Sequence, residues 1–247
     1  MLAEQRLEAI LEELERAHAA SVSRLCDLTG ASEATTRRDL TVLANQGLIS
    51  KVHGGAVLAG SEFEGNEPNV ETKAMLHPEE KARIARYAVG LISDDDVVFL
   101  DAGTTVYHML DYLKGSKATF VTNSIFGARK LMELGLKGFV LGGMMKLGTG
   151  AIIGASVCEG LEHYNFTKAF LGINGITIRQ GYTTPDPEEA AIKRKAADQA
   201  YMTYVLADSS KFQKVSAITV MPLDRAVIIT ERMPDQAYLE HTIVKEV

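Results

Sequence analysis

The stretch from Ser32 to Ala56, SEATTRRDLTVLANQGLISKVHGGA, constrains this chain more than any other. Ser32 is placed to cap a helix, because its hydroxyl can accept a hydrogen bond from an orphan backbone N–H of the first turn. Thr36, Leu40 and Leu43 recur at i, i+4 and i+7 and make one inward face. At ~100° per residue, Thr35 and Arg38 fall roughly opposite that face, with Arg37 on its flank. Gly47 stops the helix at C′. Leu48 to Val52 and Ala56 to Leu58 read as short strands around His53-Gly54-Gly55, a tight turn. Two readings stand on this chemistry: a helix that enters a DNA groove with a hairpin beside it, or a capped surface helix followed by a hairpin. Arg-Arg pairs on helices are common enough to keep the second open.

The preceding residues supply a context. Leu7, Ile10, Leu11 and Leu14 define a first amphipathic helix with an acidic outer face of Glu4, Glu8, Glu12 and Glu15. A second helix starts near Ser23, carries Leu25 and Leu28 inward and ends at Gly30. The turn Gly30-Ala31-Ser32 has the length that joins the two helices of a helix-turn-helix. Three helices and a hairpin, in that order, make a winged helix-turn-helix. After Ala20 its basic residues are Arg24, Arg37, Arg38 and Lys51, set against Asp27, Glu33 and Asp39. The DNA-facing set is therefore expected to be Arg24, Ser32, Thr35, Thr36, Arg37, Arg38, Lys51 and His53. Thr35 and Arg38 would lie near base edges, Arg37 and Lys51 on phosphates. His53 suits either the DNA backbone or the turn itself.

Composition narrows the class. The 247 residues allow one large or two modest domains, and a hydrophobic content of 46% supports a substantial core. A net charge of −6 argues against a protein that coats nucleic acid, but not against a specific binder with local basic residues. Cys26 and Cys158 form no CxxC pair and sit among apolar residues, which favours buried free thiols over a disulfide or a metal site. No apolar run approaches the ~18 residues of a membrane span. The N-terminal MLAEQRLEAI is too acidic for a signal peptide. A cytoplasmic setting fits these features.

Residues 1–58 thus form the expected DNA-binding domain. Ala59 to Asn69 is rich in Gly, Glu and Asn and reads as a linker, extended to 76 by a short helical lead-in over Val70 to Leu76. A second domain spans 77–247, opening on Pro78-Glu79-Glu80 as the first turn of a helix. Beyond it, short apolar strands alternate with helices: strands at 97–100, 119–122, 139–141, 169–173, 204–207, 218–220 and 227–229. That pattern indicates an α/β fold, Rossmann-like, with a mostly parallel, doubly covered sheet. Ligands of such sheets bind beyond the carboxyl ends of the strands. The residues there are Asp101, Gly103, Thr104 and Thr105; Thr122, Asn123 and Ser124; Gly142 and Gly143; Asn174; and Lys211. Glycines, hydroxyls, amides and a cation at several strand ends make a phosphate-friendly mouth. Glu189 and Lys193 lie one turn apart in a Pro-initiated helix. An i,i+4 pair explains most of this stretch, and a ligand role for either is the weaker reading on chemistry alone.

The run from Ser32 to Val57 resembles the DeoR family of bacterial transcription regulators. The residues that carry the resemblance are Ser32, Thr35, Arg37, Arg38, Asp39, Leu40, Gly47, Leu48, Val52, His53, Gly54, Gly55 and Ala56. Thr36 stands where Ile is usual, and Lys51 where Arg is common, keeping the charge but not the fork geometry. The family's effector domain carries D-x-G-T-T, T-N-S, L-G-G, a glycine-rich strand end, a G-x-T…E-E-A-x-x-K segment and D-x-S-K-F. These match Asp101 to Thr105, Thr122 to Ser124, Leu141 to Gly143, Gly172 to Ile176, Gly181 to Lys193 and Asp208 to Phe212. The resemblance covers essentially the whole chain. It implies a helix-turn-helix over about Ala20 to Asp39 and an effector domain similar in fold to ribose-5-phosphate isomerase. It also implies oligomeric assembly and a phosphorylated sugar as effector.

Two alternatives remain. A sugar-phosphate isomerase needs a positioned carboxylate to move a proton beside a carbonyl. Where the isomerases carry acids, this chain reads Gly172-Ile173-Asn174-Gly175-Ile176, although Asp101 and Glu189 persist. A winged helix that binds protein would not need Thr35, Arg37, Arg38 and Lys51 together. The expectation is therefore a non-enzymatic repressor of a carbohydrate-metabolism operon. It would bind double-stranded operator DNA as a homo-oligomer, dimer or tetramer, answer to a phosphorylated sugar, and use no metal or cofactor.

Overall fold

The computed structural model describes residues 2–17, 19–52, 54–58, 62–63 and 70–247. The chain divides into two compact units, Met1–Ser61 and Glu62–Val247. No helix among the described residues is long and apolar enough to cross a membrane.

The first unit runs α1 (Ala3–Ala17), β1 (Ala19–Ser21), α2 (Val22–Thr29), α3 (Glu33–Asn45), β2 (Ile49–Val52) and β3 (Gly55–Leu58). Its core joins Ile10 and Leu14 of α1 to Leu25 of α2, Leu40 and Leu43 of α3, and Ile49 and Ala56 of the sheet. The start of α2 differs from the expectation. Ser21 is the N-cap and accepts from the Arg24 N–H at 3.2 Å, so the helix begins at Val22. Val22, Leu25 and Thr29 turn inward, and Leu28, expected inward, is exposed because it lies outside their arc. α3 begins as the sequence indicates, with Ser32 Oγ accepting from the Thr35 N–H at 3.3 Å. It ends in paired bonds from Gly47 N to Ala44 O and from Leu48 N to Leu43 O, both 3.0 Å, which make a Schellman motif.

The strand β1 escaped the sequence reading, because three residues carry no periodicity. It pairs antiparallel with β3 and completes a sheet of order β1-β3-β2. This pairing explains Gly55. A Cβ there would lie 2.3 Å from the carbonyl oxygen of Ala20, so only glycine lets β1 and β3 close.

The second unit opens with β4 (Glu62–Phe63), α4 (Val70–Met75) and α5 (Pro78–Val89). Its centre is a seven-stranded, wholly parallel sheet. In chain order the strands are β5 (Val97–Leu100), β6 (Thr119–Thr122) and β7 (Gly138–Val140). After the hairpin β8 (Met144–Lys146) and β9 (Ala151–Ile153) comes β10 (Phe166–Gly172). The strands β11 (Gly175–Thr177), β12 (Gly181–Thr184) and, further on, β15 (Ile218–Met221) form a small antiparallel sheet. The main sheet continues with β13 (Ala200–Leu206), β16 (Val227–Thr230) and β17 (Val244–Glu246), and β14 (Lys214–Val215) pairs with β4. In space the order is β17-β16-β13-β10-β5-β6-β7.

The chain thus leaves β5 towards β6 and β7, then crosses back to lay β10 on the other side of β5. The switch point lies between β5 and β10, where an open α/β sheet parts its loops. Helices cover both faces. α5, α6 (Thr104–Met109) and α7 (Ile125–Glu133) bury Ile84, Ala88, Val106, Met109 and Leu131 on one side. α8 (Ala155–Leu161) and α9 (Pro187–Asp198) bury Val157, Leu161, Ile192 and Ala196 on the other.

Gly55→Ala tests the β1–β3 contact. Overpacking a backbone-to-backbone approach should cost about 1–3 kcal/mol of the first unit's stability. An unchanged calorimetric melting transition would show that β1 does not pair as described.

Candidate functional site

The exposed face of α3 follows from its buried face. Thr36 is fully buried, with Oγ1 3.3 Å from Cys26 Sγ, so it belongs to the α2–α3 contact. This corrects the expectation that Thr36 touches DNA: its place at the first inward position leaves it no surface. Arg37 and Arg38 are exposed, and Thr35 is half-buried at the helix start beside Ser32. Arg37 is held by Glu33 one turn earlier, with Nε 3.0 Å from Oε1. Lys51 of β2 donates to Thr41 Oγ1 of α3 at 3.2 Å, which fixes the wing strand to the helix. Among the described residues Arg38 makes no ion pair, so its fork is available to a partner. Arg24 is engaged by Glu13, which also takes Arg16 at 2.8 Å. Hydrogen bonds from these two guanidinium groups hold the Glu13 carboxyl below its usual range. His53 lies outside the described residues.

One positioning element was not read from sequence. Arg6 of α1 clamps Asp39 of α3 with two bonds, Nε to Oδ2 at 2.8 Å and Nη2 to Oδ1 at 3.2 Å. A bidentate guanidinium–carboxylate pair fixes orientation as well as distance. Asp39 directly follows Arg38, so the clamp sets the rotation of α3 and with it the direction of Arg37 and Arg38. The sequence signal was present, since an acid interrupts an otherwise basic run, but its partner lies 33 residues away.

The second site lies at the carboxyl end of the parallel sheet, at the switch point. Here β5 and β10 end side by side. A Cβ on Gly103 would stand 3.0 Å from the Gly172 Cα, and one on Gly172 would stand 3.1 Å from the Gly103 Cα. Glycine at both positions lets the end of β10 and the chain after β5 pass closely. The buried Asp101 accepts from the Gly172 N–H at 2.9 Å and from Lys193 Nζ of α9. The cavity above encloses about 730 Å³, counting the part open to solvent.

Its lining includes Asp101, Gly103, Thr104, Thr105, Asn123, Asn174, Glu189, Lys193 and Lys211, nine of the residues expected from sequence. For Glu189 and Lys193 the i,i+4 explanation gives way. Lys193 pairs with Asp101, while Glu189 Oε1 accepts from Lys146 Nζ at 2.9 Å and Thr149 Oγ1 at 3.2 Å. Asn123 sits in the lining with its amide donating to the Ile152 carbonyl at 3.1 Å, so the other end of its side chain is an acceptor.

Four expected residues stand outside the lining. Thr122 Oγ1 donates to the Leu100 carbonyl at 2.6 Å and accepts from the Ser124 N–H, which ties β6 to β5. Ser124 caps α7 by accepting from the Gly127 N–H at 3.0 Å. Gly142 and Gly143 lead into the β8–β9 hairpin, and a Cβ on Gly143 would lie 2.5 Å from the Ile153 carbonyl. These four build the walls and do not face the cavity.

The structure adds residues the sequence did not mark: Val70, Lys73 and Leu76 from α4 and the turn after it, Thr149 from the β8–β9 hairpin, and Lys81 from α5. Lys81 is buried, and its ammonium donates to the Lys73 carbonyl. Burial pushes the Lys81 amine below its ordinary value of 10.5, opposed by the charge of Asp208 and assisted by Lys211 and Lys73. Lys73, Lys81, Lys193 and Lys211 thus face Asp101 and Glu189 across one cavity, an excess of positive charge. Such a cavity favours an anion. α6 has six residues, so the charge comes from these lysines more than from the helix end.

A winged helix-turn-helix, followed by an α/β unit with a basic cavity at its switch point, is the plan of a DNA-binding regulator with a ligand-sensing domain. Residues 6–62 match the DeoR-like helix-turn-helix domain and residues 76–232 the DeoR C terminal sensor domain. The chain belongs to the DeoR family of transcriptional regulators. It is 39% identical to the HTH-type transcriptional regulator FruR of Bacillus subtilis (strain 168), covering 100% of this chain and 99% of that one. It is 35% identical to the HTH-type transcriptional repressor GlcR of the same organism, over 97% of this chain and 93% of that one. With the lactose phosphotransferase system repressor of Lactococcus lactis subsp. lactis the identity is 33%, over 85% and 83%.

The buried lysine predicts a pH dependence. A folded-state pKa below the unfolded 10.5 means that the unfolded chain binds more protons in that window. The cost of charging Lys81 is therefore fully present below its folded pKa and is relieved as the pH rises towards 10.5. Denaturant titrations should show the second unit gaining stability over that rise, and Lys81→Met should flatten it. An equal slope in both proteins would mean that Lys81 is not the buried charge.

Proposed function

We propose that this protein represses an operon of carbohydrate metabolism and that a phosphorylated sugar in the cavity of the second unit relieves the repression. The observation that carries the reading is the cluster of Lys81, Lys193 and Lys211 at the switch point, two of them buried. Lys211 is half-exposed and, among the described residues, has no ion-pair partner. A dianionic phosphate satisfies such a cluster, while the amides of Asn123 and Asn174 and the hydroxyls of Thr104 and Thr105 suit sugar hydroxyls. Thr104, Thr105, Asn123, Asn174, Lys193 and Lys211 form the ligand set in this reading. The names of the relatives, among them a lactose phosphotransferase system repressor and a putative aga operon transcriptional repressor, support a carbohydrate target.

On the DNA side, Arg38 and Thr35 read base edges, while Arg37, Lys51 and Ser32 grip the backbone. Few basic residues per protomer call for two recognition helices spaced ~34 Å apart or a multiple of it, hence for a homo-oligomer. Exposed Phe139 and Val140 on the edge strand β7, with Met144 and Met145 on β8, offer an apolar surface for it. A coupling of ~1–3 kcal/mol between ligand and DNA would give roughly 5–150-fold relief.

A sugar-phosphate isomerase is the competing reading. It is disfavoured because both carboxylates of the cavity are engaged, Asp101 by Lys193 and Glu189 by Lys146. Turnover of a sugar phosphate by pure protein would decide for it.

Two variants test the two halves. Arg38→Ala should weaken operator binding by about 1–3 kcal/mol with little effect on non-specific DNA, since a bidentate base contact carries that much discrimination. An equal loss on both DNAs would place Arg38 on a phosphate. Lys211→Ala should keep operator affinity but abolish the stabilisation by sugar phosphates in a thermal-shift panel, where ligand at 100 times Kd gives ~2.7 kcal/mol. A retained shift would move the anion site elsewhere.

A further inference from the structure

The segment that leads into the second unit does not pass the cavity at a distance. β4 pairs in parallel with β14, only a few residues after the Lys211 turn. α4 then contributes Val70, Lys73 and Leu76 to the cavity wall. Hydrogen bonds hold α4 there. The Val70 N–H donates to the Gly148 carbonyl at 3.0 Å, in the hairpin that carries Thr149, and Lys81 Nζ donates to the Lys73 carbonyl.

Resting on the reading of the cavity as an anion site, we infer that Lys81 couples the cavity to α4. An anionic ligand seated on Lys81, Lys193 and Lys211 closes against Val70, Lys73 and Leu76 and pins the lead-in helix to the sensor domain. The chemistry favours this direction. An ammonium has three donors, so Lys81 can bond an anion and still keep the Lys73 carbonyl. Burial disfavours the charged form of Lys81, and an anion beside it offsets that cost while the hydrogen bond from Lys81 to the Lys73 carbonyl stays in place. The ligand also gains apolar contact from Val70 and Leu76 only while α4 is in place. It therefore binds the docked arrangement better than the undocked one, which is the condition for any ligand to shift an equilibrium. α4 stands at the sensor-domain end of the segment that comes from the DNA-binding unit. Its order is thus a signal that can leave the cavity.

Hydrogen–deuterium exchange on the full chain, with and without saturating inorganic phosphate, tests the coupling. Without any ligand, Lys81→Met should raise exchange in peptides covering 70–76 by about tenfold relative to wild type, because the tether is lost. Equal exchange in the two proteins would overturn the inference. In wild type, phosphate should slow exchange over 70–76 and leave α1 unchanged. If phosphate raises the melting temperature while exchange over 70–76 stays the same, the coupling is wrong and the anion site survives. If neither phosphate nor any sugar phosphate shifts the melting temperature, the anion site itself falls and the coupling with it. Should Lys81→Met fail to fold, the half-exposed Leu76→Asp provides the second variant. It should also free α4 and remove the phosphate effect on 70–76, and protection equal to wild type would overturn the inference.

Discussion

The second unit depends on one crossing. β5 and β10 end together, and Gly103 and Gly172 pass with almost no room between their backbones. That approach brings Asp101 to the Gly172 N–H and sets its carboxylate where Lys193 of α9 can reach it. A buried pair of this kind offsets its own desolvation only when its geometry is tight. What the pair secures is position. It joins the two halves of the sheet to the helix that also carries Glu189, so the cavity's charges are placed by the topology and not by flexible loops.

The same economy holds in the first unit. Arg6 and Asp39 are an interior clamp, Glu13 gathers Arg16 and Arg24, and Glu33 takes Arg37. Most basic residues of this unit are therefore committed within the protein, and Arg38 stands out as the one on α3 without an ion pair among the described residues. With so little positive surface, electrostatic attraction to DNA is weak for each unit, which is why the proposed reading calls for more than one recognition helix.

The sequence was most legible where one short-range rule decides the outcome. Ser32 as a cap, Gly47 as a stop, the inward stripe of Leu40 and Leu43, and the apolar strands at 97–100 and 119–122 all obey local periodicity or cap chemistry. It was least legible where a residue's role depends on a distant partner. Leu28 looks inward because it follows Leu25 by three residues, but at ~100° per residue it falls outside the narrow arc of Val22, Leu25 and Thr29 that the core covers. Thr122 and Ser124 looked like ligand groups because a hydroxyl that caps a helix and one that meets a phosphate have the same sequence signature. Lys81 was invisible for the opposite reason. A lysine one turn into an acidic helix start reads as a solvated charge, and only the tertiary fold, in which its ammonium meets the Lys73 carbonyl of α4, makes it buried. β1 and the β8–β9 hairpin are not legible because neither is a short apolar run between two helical stretches, the pattern that marks the strands of the main sheet.

Lys81 also decides how the site and the signal can be related. A surface lysine binds phosphate cheaply, because its charge is already solvated and nothing else changes. A buried lysine without an anion carries an unfavourable desolvation cost, and a ligand that removes this cost acts on whatever keeps the lysine buried. Here α4 is part of that cover, through the Lys73 carbonyl and the wall formed by Val70 and Leu76. The part of the binding free energy gained at Lys81 is therefore gained jointly with the order of α4. A cavity with the same net charge but only exposed lysines would bind the anion equally well and have no means of reporting it.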